Sequence, residues 1–308
     1  MKPKEIKGVV VPILTPLTPD EAVDLASLRR LVNYLIDNGV HGIWAGGTTG
    51  EFAALTDEQR VTSIETIVDE VAGRVPVIAN VSATGTRLTV NLALSVQEIG
   101  LDGVAATPPY YYPCAQDEIM SHYRYIRERV RLPLWVYNIP VTVKTVVDPA
   151  TIAELAEEGS VVGVKDSTGA GELLAQLNAL CGQRDIKLSR FIGTVYRITN
   201  SRAVGAHGVI PGIGNLVPDM VSRAWGAGEA GEAERASEYN AKLMLATKIQ
   251  RLAKGGGPNA AQYSGMKSAL KIMGILEHDT ITRPLRPLTP EEKEPIPTIL
   301  KELGLLAD

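Results

Sequence analysis

Short runs of Val, Ile and Gly recur along this chain without alternating with polar residues, and amphipathic segments separate them. The runs are Gly8–Leu14, Gly42–Ala45, Val75–Val81, Gly103–Ala106, Leu132–Tyr137, Val161–Lys165, Phe191–Gly193 and Gly208–Ile213. A strand with one wet face alternates apolar and polar residues, whereas a strand covered on both faces does not. The pattern therefore predicts parallel strands with helices packed against them. Between the runs, Leu28, Leu31, Val32, Leu35 and Ile36 recur at helical spacing in Leu25–Asn38, and Gly39 follows as a stop. Thr56–Ala72 opens with a Thr56-x-x-Gln59 capping arrangement and ends at Gly73. Arg87–Ile99, Gln116–Val130, Pro149–Glu158, Gly171–Leu180 and Tyr196–Val204 complete the alternation.

About eight βα units fit before residue 225, which favours a closed (β/α)8 barrel over an open doubly wound sheet. No dinucleotide fingerprint follows the first run, which also argues against a nucleotide-binding open sheet. The expected architecture is an α/β TIM barrel over residues 1–225, carrying catalysis, and a C-terminal helical extension over residues 226–308. Three helices are predicted in the extension, Glu229–Leu252, Gln262–Met273 and Pro290–Leu303, with a glycine-rich hinge at Gly255–Pro258. Pro295 and Pro297 interrupt the last of them. The seventh strand has the weakest pattern, because Lys187–Arg190 is mostly polar. Aromatic residues make up 5% of the chain, so the core is expected to consist mainly of Val, Ile, Leu and Ala.

Charge and cysteine content narrow the function classes. The formal net charge is −4 and no Lys/Arg run occurs, so nucleic acid is not an expected partner. Cys114 and Cys181 are scattered, which reads as reduced thiols in the cytoplasm and not as a disulfide framework. Pro12 and Pro16 break the apolar start of the chain, which makes it a poor signal peptide. No apolar stretch reaches the roughly 18 residues of a membrane span, so no membrane association is expected. His41, His122, His207 and His278 are isolated, so neither a metal site nor a metal cofactor is expected.

In barrels of this kind, chemistry sits just past the C-terminal ends of the strands. Gly46-Gly47-Thr48-Thr49-Gly50-Glu51 follows the second run, and successive backbone N–H groups in such a glycine-rich turn can hold an anion. An ordinary βα turn would look the same. Lys165 ends the sixth run, where desolvation disfavours its charge and makes the amine a usable nucleophile. A structural pairing with Asp166 is the alternative. Tyr137 ends the fifth run and can relay protons, or can be a core aromatic. Tyr110, Tyr111 and Tyr112, bracketed by prolines, cannot all be buried on one face, so at least one projects into the mouth or a subunit contact.

Taken together, VVVPILTP, GGTTGE, TPPYYYP, YNIP, GVKDSTG, GAHGVIPGIGN and KSALKIMG resemble the dihydrodipicolinate synthase/N-acetylneuraminate lyase family of class I aldolases. The resemblance spans nearly the whole chain. It implies a Schiff base between Lys165 and pyruvate or a similar 2-oxo acid, without a cofactor. It implies Tyr137 as proton shuttle, and Thr48 and Thr49, in the turn opened by Gly47, as holders of the substrate carboxylate. It also implies that Tyr111 completes a hydroxyl relay from a neighbouring subunit, and that Gly193 and Ile210 face the imine region. A homotetramer built from two dimers is the implied assembly.

Departures from the pattern narrow the substrate. Dihydrodipicolinate synthases carry an arginine two residues after the YNxP motif, where this chain has Thr142. N-acetylneuraminate lyases carry acids after the glycine matching Gly193, where this chain has Thr194 and Val195. Both departures favour a 2-keto-3-deoxy acid, with hydroxyls of Thr142, Thr194 and Tyr196 available to its tail. The alternatives are a dihydrodipicolinate synthase-like condensation with an aldehyde such as aspartate semialdehyde, then a dehydratase or decarboxylating relative, and, from another class, a non-catalytic ligand-binding homologue.

Overall fold

A computed structural model describes residues 6–307. The first five residues, where a targeting signal would begin, lie outside the described residues. Eight parallel strands close into one barrel in sequence order, with β8 pairing β1. They are β1 (Gly8–Pro12), β2 (Gly42–Ala45), β3 (Val77–Asn80), β4 (Gly103–Ala106), β5 (Leu134–Asn138), β6 (Gly163–Asp166), β7 (Ser189–Ile192) and β8 (Gly208–Val209). Around them lie α1 (Leu25–Asp37), α2 (Asp57–Val71), α3 (Thr86–Val96), α4 (Gln116–Arg129), the single turn α5 (Pro140–Val143), α6 (Pro149–Glu157), α7 (Glu172–Arg184) and α8 (Pro218–Ala230). The expected TIM barrel is thus present.

Local chemistry sets the helix ends. The Thr56 hydroxyl accepts from the Gln59 N–H at 3.2 Å while the Gln59 side chain accepts from the Thr56 N–H at 2.9 Å, closing the capping box at the start of α2. Asp24 caps α1 by accepting from the Ser27 N–H at 3.0 Å. The polar seventh strand forms two residues earlier than its apolar run predicts, pairing Ser189 with Gly163. Its polarity is satisfied, because the Arg190 guanidinium donates to the carbonyls of Gly205 and Leu188 at 2.9 and 3.1 Å.

Side chains alternate between two cores along each strand. Outward residues such as Val9, Val11, Ile43, Val104 and Val136 meet the helices in the Val-, Ile- and Leu-rich core that composition predicts. The barrel interior differs. Trp44, Trp135, Tyr137 and Phe191 fill it, with Val10, Ile78, Ala105 and Ile210. Two of the three tryptophans and one of the two phenylalanines therefore stand inside the barrel. Their rings meet edge to face, Trp44–Trp135 at 6.3 Å, Trp44–Tyr137 at 5.5 Å and Trp135–Phe191 at 5.6 Å.

Such large residues need small ones opposite. A Cβ at Gly163 would lie 2.4 Å from Cε3 of Trp135. The indole is wedged between Trp44 and Phe191 and has little freedom to give way. Gly163→Ala is expected to cost about 1–3 kcal/mol of stability by overpacking. Urea unfolding measures this, and an unchanged midpoint would mean that Trp135 moves aside freely.

The C-terminal region departs from its predicted boundaries. Residue 225 lies inside α8, which runs to Ala230 and ends at Gly231 with φ +72°. The single helix predicted over Glu229–Leu252 is therefore divided: α9 covers Ala233–Thr247, and a 3-10 turn covers Ile249–Arg251. Helix α10 (Pro258–Ile272) begins four residues before its predicted start, because Pro258 is suited to the first helical position. The last segment splits into α11 (Pro290–Lys293) and α12 (Ile296–Glu302), with Pro295 between them.

Candidate active site

The inward face of β6 carries Lys165 at its C-terminal end, directly beside Tyr137 of β5 in the strand register. Lys165 is 3% exposed. Its Nζ lies 4.2 Å from the centre of the Tyr137 ring and 5.0 Å from that of Trp44. Among the described residues no carboxylate pairs with it, and burial alone lowers its pKa to about 7. The pairing with Asp166 that the sequence allowed does not form, because consecutive strand residues point to opposite faces. Asp166 instead accepts from Asn138 Nδ2 at 3.0 Å and from the Thr168 hydroxyl at 2.8 Å.

The Tyr137 phenol lies 3.0 Å from the Thr48 hydroxyl. Burial pushes its pKa up to about 12, against the opposing effect of hydrogen bonds from Thr48 and Ser167. The phenol is therefore protonated at neutral pH, so it can donate to a developing oxyanion and be reprotonated through its hydroxyl partners. Ser167 is a hydrogen-bond partner of the phenol that motif and run patterns do not single out. The available signal is its parity, since it stands two residues beyond Lys165 on the same face of the chain. Gly193, at the end of β7, closes the other side. A Cβ there would lie 2.4 Å from the Ser167 hydroxyl oxygen and 3.3 Å from Cε of Lys165. Ile210, just beyond β8, is buried in the same interior cluster.

The glycine-rich turn sits across the mouth. Gly46 has φ +59°, and a Cβ at Gly47 would lie 3.0 Å from the Trp44 ring. Thr48–Gly50 forms a 3-10 turn in which the Gly50 and Glu51 N–H groups donate to the Gly47 and Thr48 carbonyls at 3.0 and 3.1 Å. The N–H groups of Thr48 and Thr49 precede those bonds. Thr49 is buried, with its hydroxyl turned toward Gly212.

Glu51 anchors the turn. It is buried, with φ +59°, and accepts from the ammonium of Lys267 on α10 and from the Thr282 N–H and hydroxyl at 2.7 and 2.8 Å. Lys267 donates its second bond to the Thr280 carbonyl at 2.8 Å. The extension thereby reaches into the barrel mouth.

Two expected site residues stand apart. Tyr111 is 85% exposed with φ +93°, and its ring contacts that of Tyr112, which is 75% exposed. Within the chain Tyr111 makes no hydrogen bond to Thr48 or Tyr137 among the described residues. Thr142 is exposed on α5 and its hydroxyl donates to the Ile139 carbonyl at 3.1 Å. Among the described residues, no group of three or more His, Cys, Asp or Glu side chains is arranged to hold a metal ion. No helix among them is long and apolar enough to cross a membrane.

The model of the dihydrodipicolinate synthetase family matches residues 5–303. A 4-hydroxy-tetrahydrodipicolinate synthase of Pelobacter propionicus is 32% identical over 300 residues, covering 97% of this chain and 99% of the relative. The structure of dihydrodipicolinate synthase from Bacteroides thetaiotaomicron superposes with a TM-score of 0.90 at 29% identity, covering 98% of this chain and all of that one. YagE, a prophage protein of Escherichia coli K12 solved in complex with pyruvate, superposes with a TM-score of 0.88 at 25% identity, covering 97% of this chain and 99% of its own.

Proposed function

Because the chain belongs to the dihydrodipicolinate synthetase family, which comprises lyases of the class I aldolase type, we propose that it cleaves a 2-keto-3-deoxy acid to pyruvate and an aldehyde through a Schiff base on Lys165. The observation that carries this reading is the buried Lys165 amine, without a carboxylate partner among the described residues, beside the protonated phenol of Tyr137. The neutral amine attacks C2 of the 2-oxo acid. The carbinolamine loses its hydroxyl as water, taking a proton from Tyr137, which Thr48 and Ser167 hold in position. The resulting protonated imine accepts the electron pair of the C3–C4 bond as that bond breaks, and the Tyr137 phenolate left by the dehydration takes the C4 hydroxyl proton as the aldehyde forms. The enamine then takes a proton at C3, and water releases pyruvate and the free amine. Condensation is the same path reversed.

In this reading the Thr48 and Thr49 N–H groups hold the substrate carboxylate in the turn that Gly47 shapes. Gly193 and Ile210 border the imine with backbone, and Thr142 stands at the entrance. The assembly is a homotetramer of two dimers, in which Tyr111 of a neighbouring subunit reaches Thr48. The exposure of Tyr111 and Tyr112 and the positive φ of Tyr111 support a partner at this corner. The two cysteines, both free, suit action in the reducing cytoplasm. A condensation of the dihydrodipicolinate synthase kind is the second reading, favoured by whole-length similarity to a relative of that name.

Borohydride reduction in the presence of pyruvate, followed by intact mass and peptide mapping, tests the proposal. The expected product is a reduced pyruvate adduct at Lys165. Folded protein that forms no adduct would favour a non-catalytic binding homologue. Pyruvate release from 2-keto-3-deoxy acids, measured beside condensation with aspartate semialdehyde, separates the two readings.

A further inference from the structure

Beyond Gly193, a cavity of about 340 Å³ opens between the barrel mouth and the C-terminal extension. Gly193 lines it while also bordering Cε of Lys165, and Gly212 lines it while also facing the Thr49 hydroxyl. A Cβ at Gly193 would lie 2.4 Å from the Ser167 hydroxyl and one at Gly212 3.3 Å from that of Thr49, so a side chain at either place would crowd the border between the cavity and the lysine. The walls mix polar and apolar residues and are almost uncharged, with Thr194, Thr247, Gln250 and Gln262 contributing hydroxyls and amides beside Val195, Ile213 and Pro258. Arg251 is the one charged residue among those lining it, and no carboxylate is among them. Its guanidinium is held by the phenolic oxygen of Tyr196, a neutral partner that leaves the positive charge uncompensated. It forms no ion pair with a carboxylate among the described residues.

This arrangement deepens the proposed function and rests on it. We propose that the cavity receives the tail of the 2-keto-3-deoxy acid and that Arg251 binds an anionic group at the tail's far end. A guanidinium presents its donors in a planar fork that matches the paired oxygens of a carboxylate or a phosphate. The hydroxyl and amide walls suit a short polyhydroxylated chain between that group and the imine. Val195, also in the lining, adds no negative charge to repel it. The cavity volume is at the small end of the range for ligand pockets, which fits a short tail. Arg251 thus supplies, from the extension, the anion recognition that Thr142 lacks.

Three 2-keto-3-deoxy acids of equal length, ending in a hydroxymethyl group, a carboxylate or a phosphate ester, test this. Pyruvate release gives kcat/KM for the wild type, Arg251→Lys and Arg251→Ala, and borohydride trapping with pyruvate is run alongside. The wild type should prefer an anionic terminus to the hydroxymethyl by about 10- to 100-fold, the range of one charge-assisted hydrogen-bonded contact. Which anion is preferred identifies the natural terminus. In Arg251→Ala the preference should collapse toward unity, and Arg251→Lys should restore part of it. A wild type that forms the pyruvate adduct but treats the three acids alike, or cleaves none, overturns the role of Arg251 and leaves that of Lys165 standing. Full preference retained in Arg251→Ala would overturn that role equally. Failure of the wild type to form the adduct overturns the Schiff-base reading and this inference with it.

Discussion

Lys165→Met is expected to abolish turnover and the borohydride-trapped adduct while making the protein more stable at neutral pH. Loss of the proposed nucleophile removes the proposed covalent route, and activity should fall by a factor on the order of 10⁴ or more. Stability should move the other way because Lys165 is buried without a countercharge among the described residues. Its pKa is about 7 in the folded protein, against an ordinary value of 10.5 for a free side chain. Between those values the unfolded chain binds the proton and the folded one does not, so stability rises with pH there. The cost of burying the amine is therefore present in full below about pH 7, shrinks above it and is gone beyond about pH 10.5. Methionine has a similar volume and no charge to desolvate. The variant should gain up to several kcal/mol at pH 6, by the conversion of about 1.4 kcal/mol per pKa unit, and little at pH 10.5. Urea unfolding across that pH range reads the difference. A variant that is less stable at every pH would refute the idea that an uncompensated amine strains the barrel. In the wild type, the rate of adduct formation should fall as pH drops below about 7, since only the neutral amine attacks.

Lys267→Met should have the largest structural effect of any single change at the mouth. It leaves the Glu51 carboxylate buried with only the Thr282 donors. Removing one partner of a buried ion pair typically costs about 3–5 kcal/mol, because the other charge is left uncompensated. Glu51 ends the turn that begins at Gly46, so loosening it should also raise KM for the 2-oxo acid more than it lowers kcat for bound substrate. The double variant Glu51→Leu with Lys267→Met removes both charges and should recover much of the lost stability. If the single variant unfolds at the wild-type urea concentration, the pair does not anchor the turn. If the double variant regains stability but KM stays high, the carboxylate has a separate role in shaping the Thr48–Thr49 backbone.

Both experiments probe features that differ in how far they could be read from the chain. Lys165 stood out because a cation ending an unbroken apolar run has few places to go but a barrel mouth. Glu51 was visible as part of GGTTGE, and Lys267 as part of KSALKIMG, yet nothing local links two residues 216 positions apart. Tyr137 and Lys165 were each readable as strand-end residues. Their adjacency follows from the register of β5 on β6.

By itself the sequence determined the fold class, the short list of chemically capable strand ends and the position of the capped helix starts. These depend on periodicity, turn residues and desolvation over a few neighbouring positions, all of which are local. Tertiary structure alone decided that the scarce aromatics fill the barrel interior and that Asp166 turns away from Lys165. It also decided that Ser167 reaches the phenol, and that Arg251 and Lys267 come from the extension to the mouth. Those outcomes depend on barrel closure, which sets strand register and side-chain parity together and brings distant segments within contact. A pattern read along the chain carries no record of which segments meet.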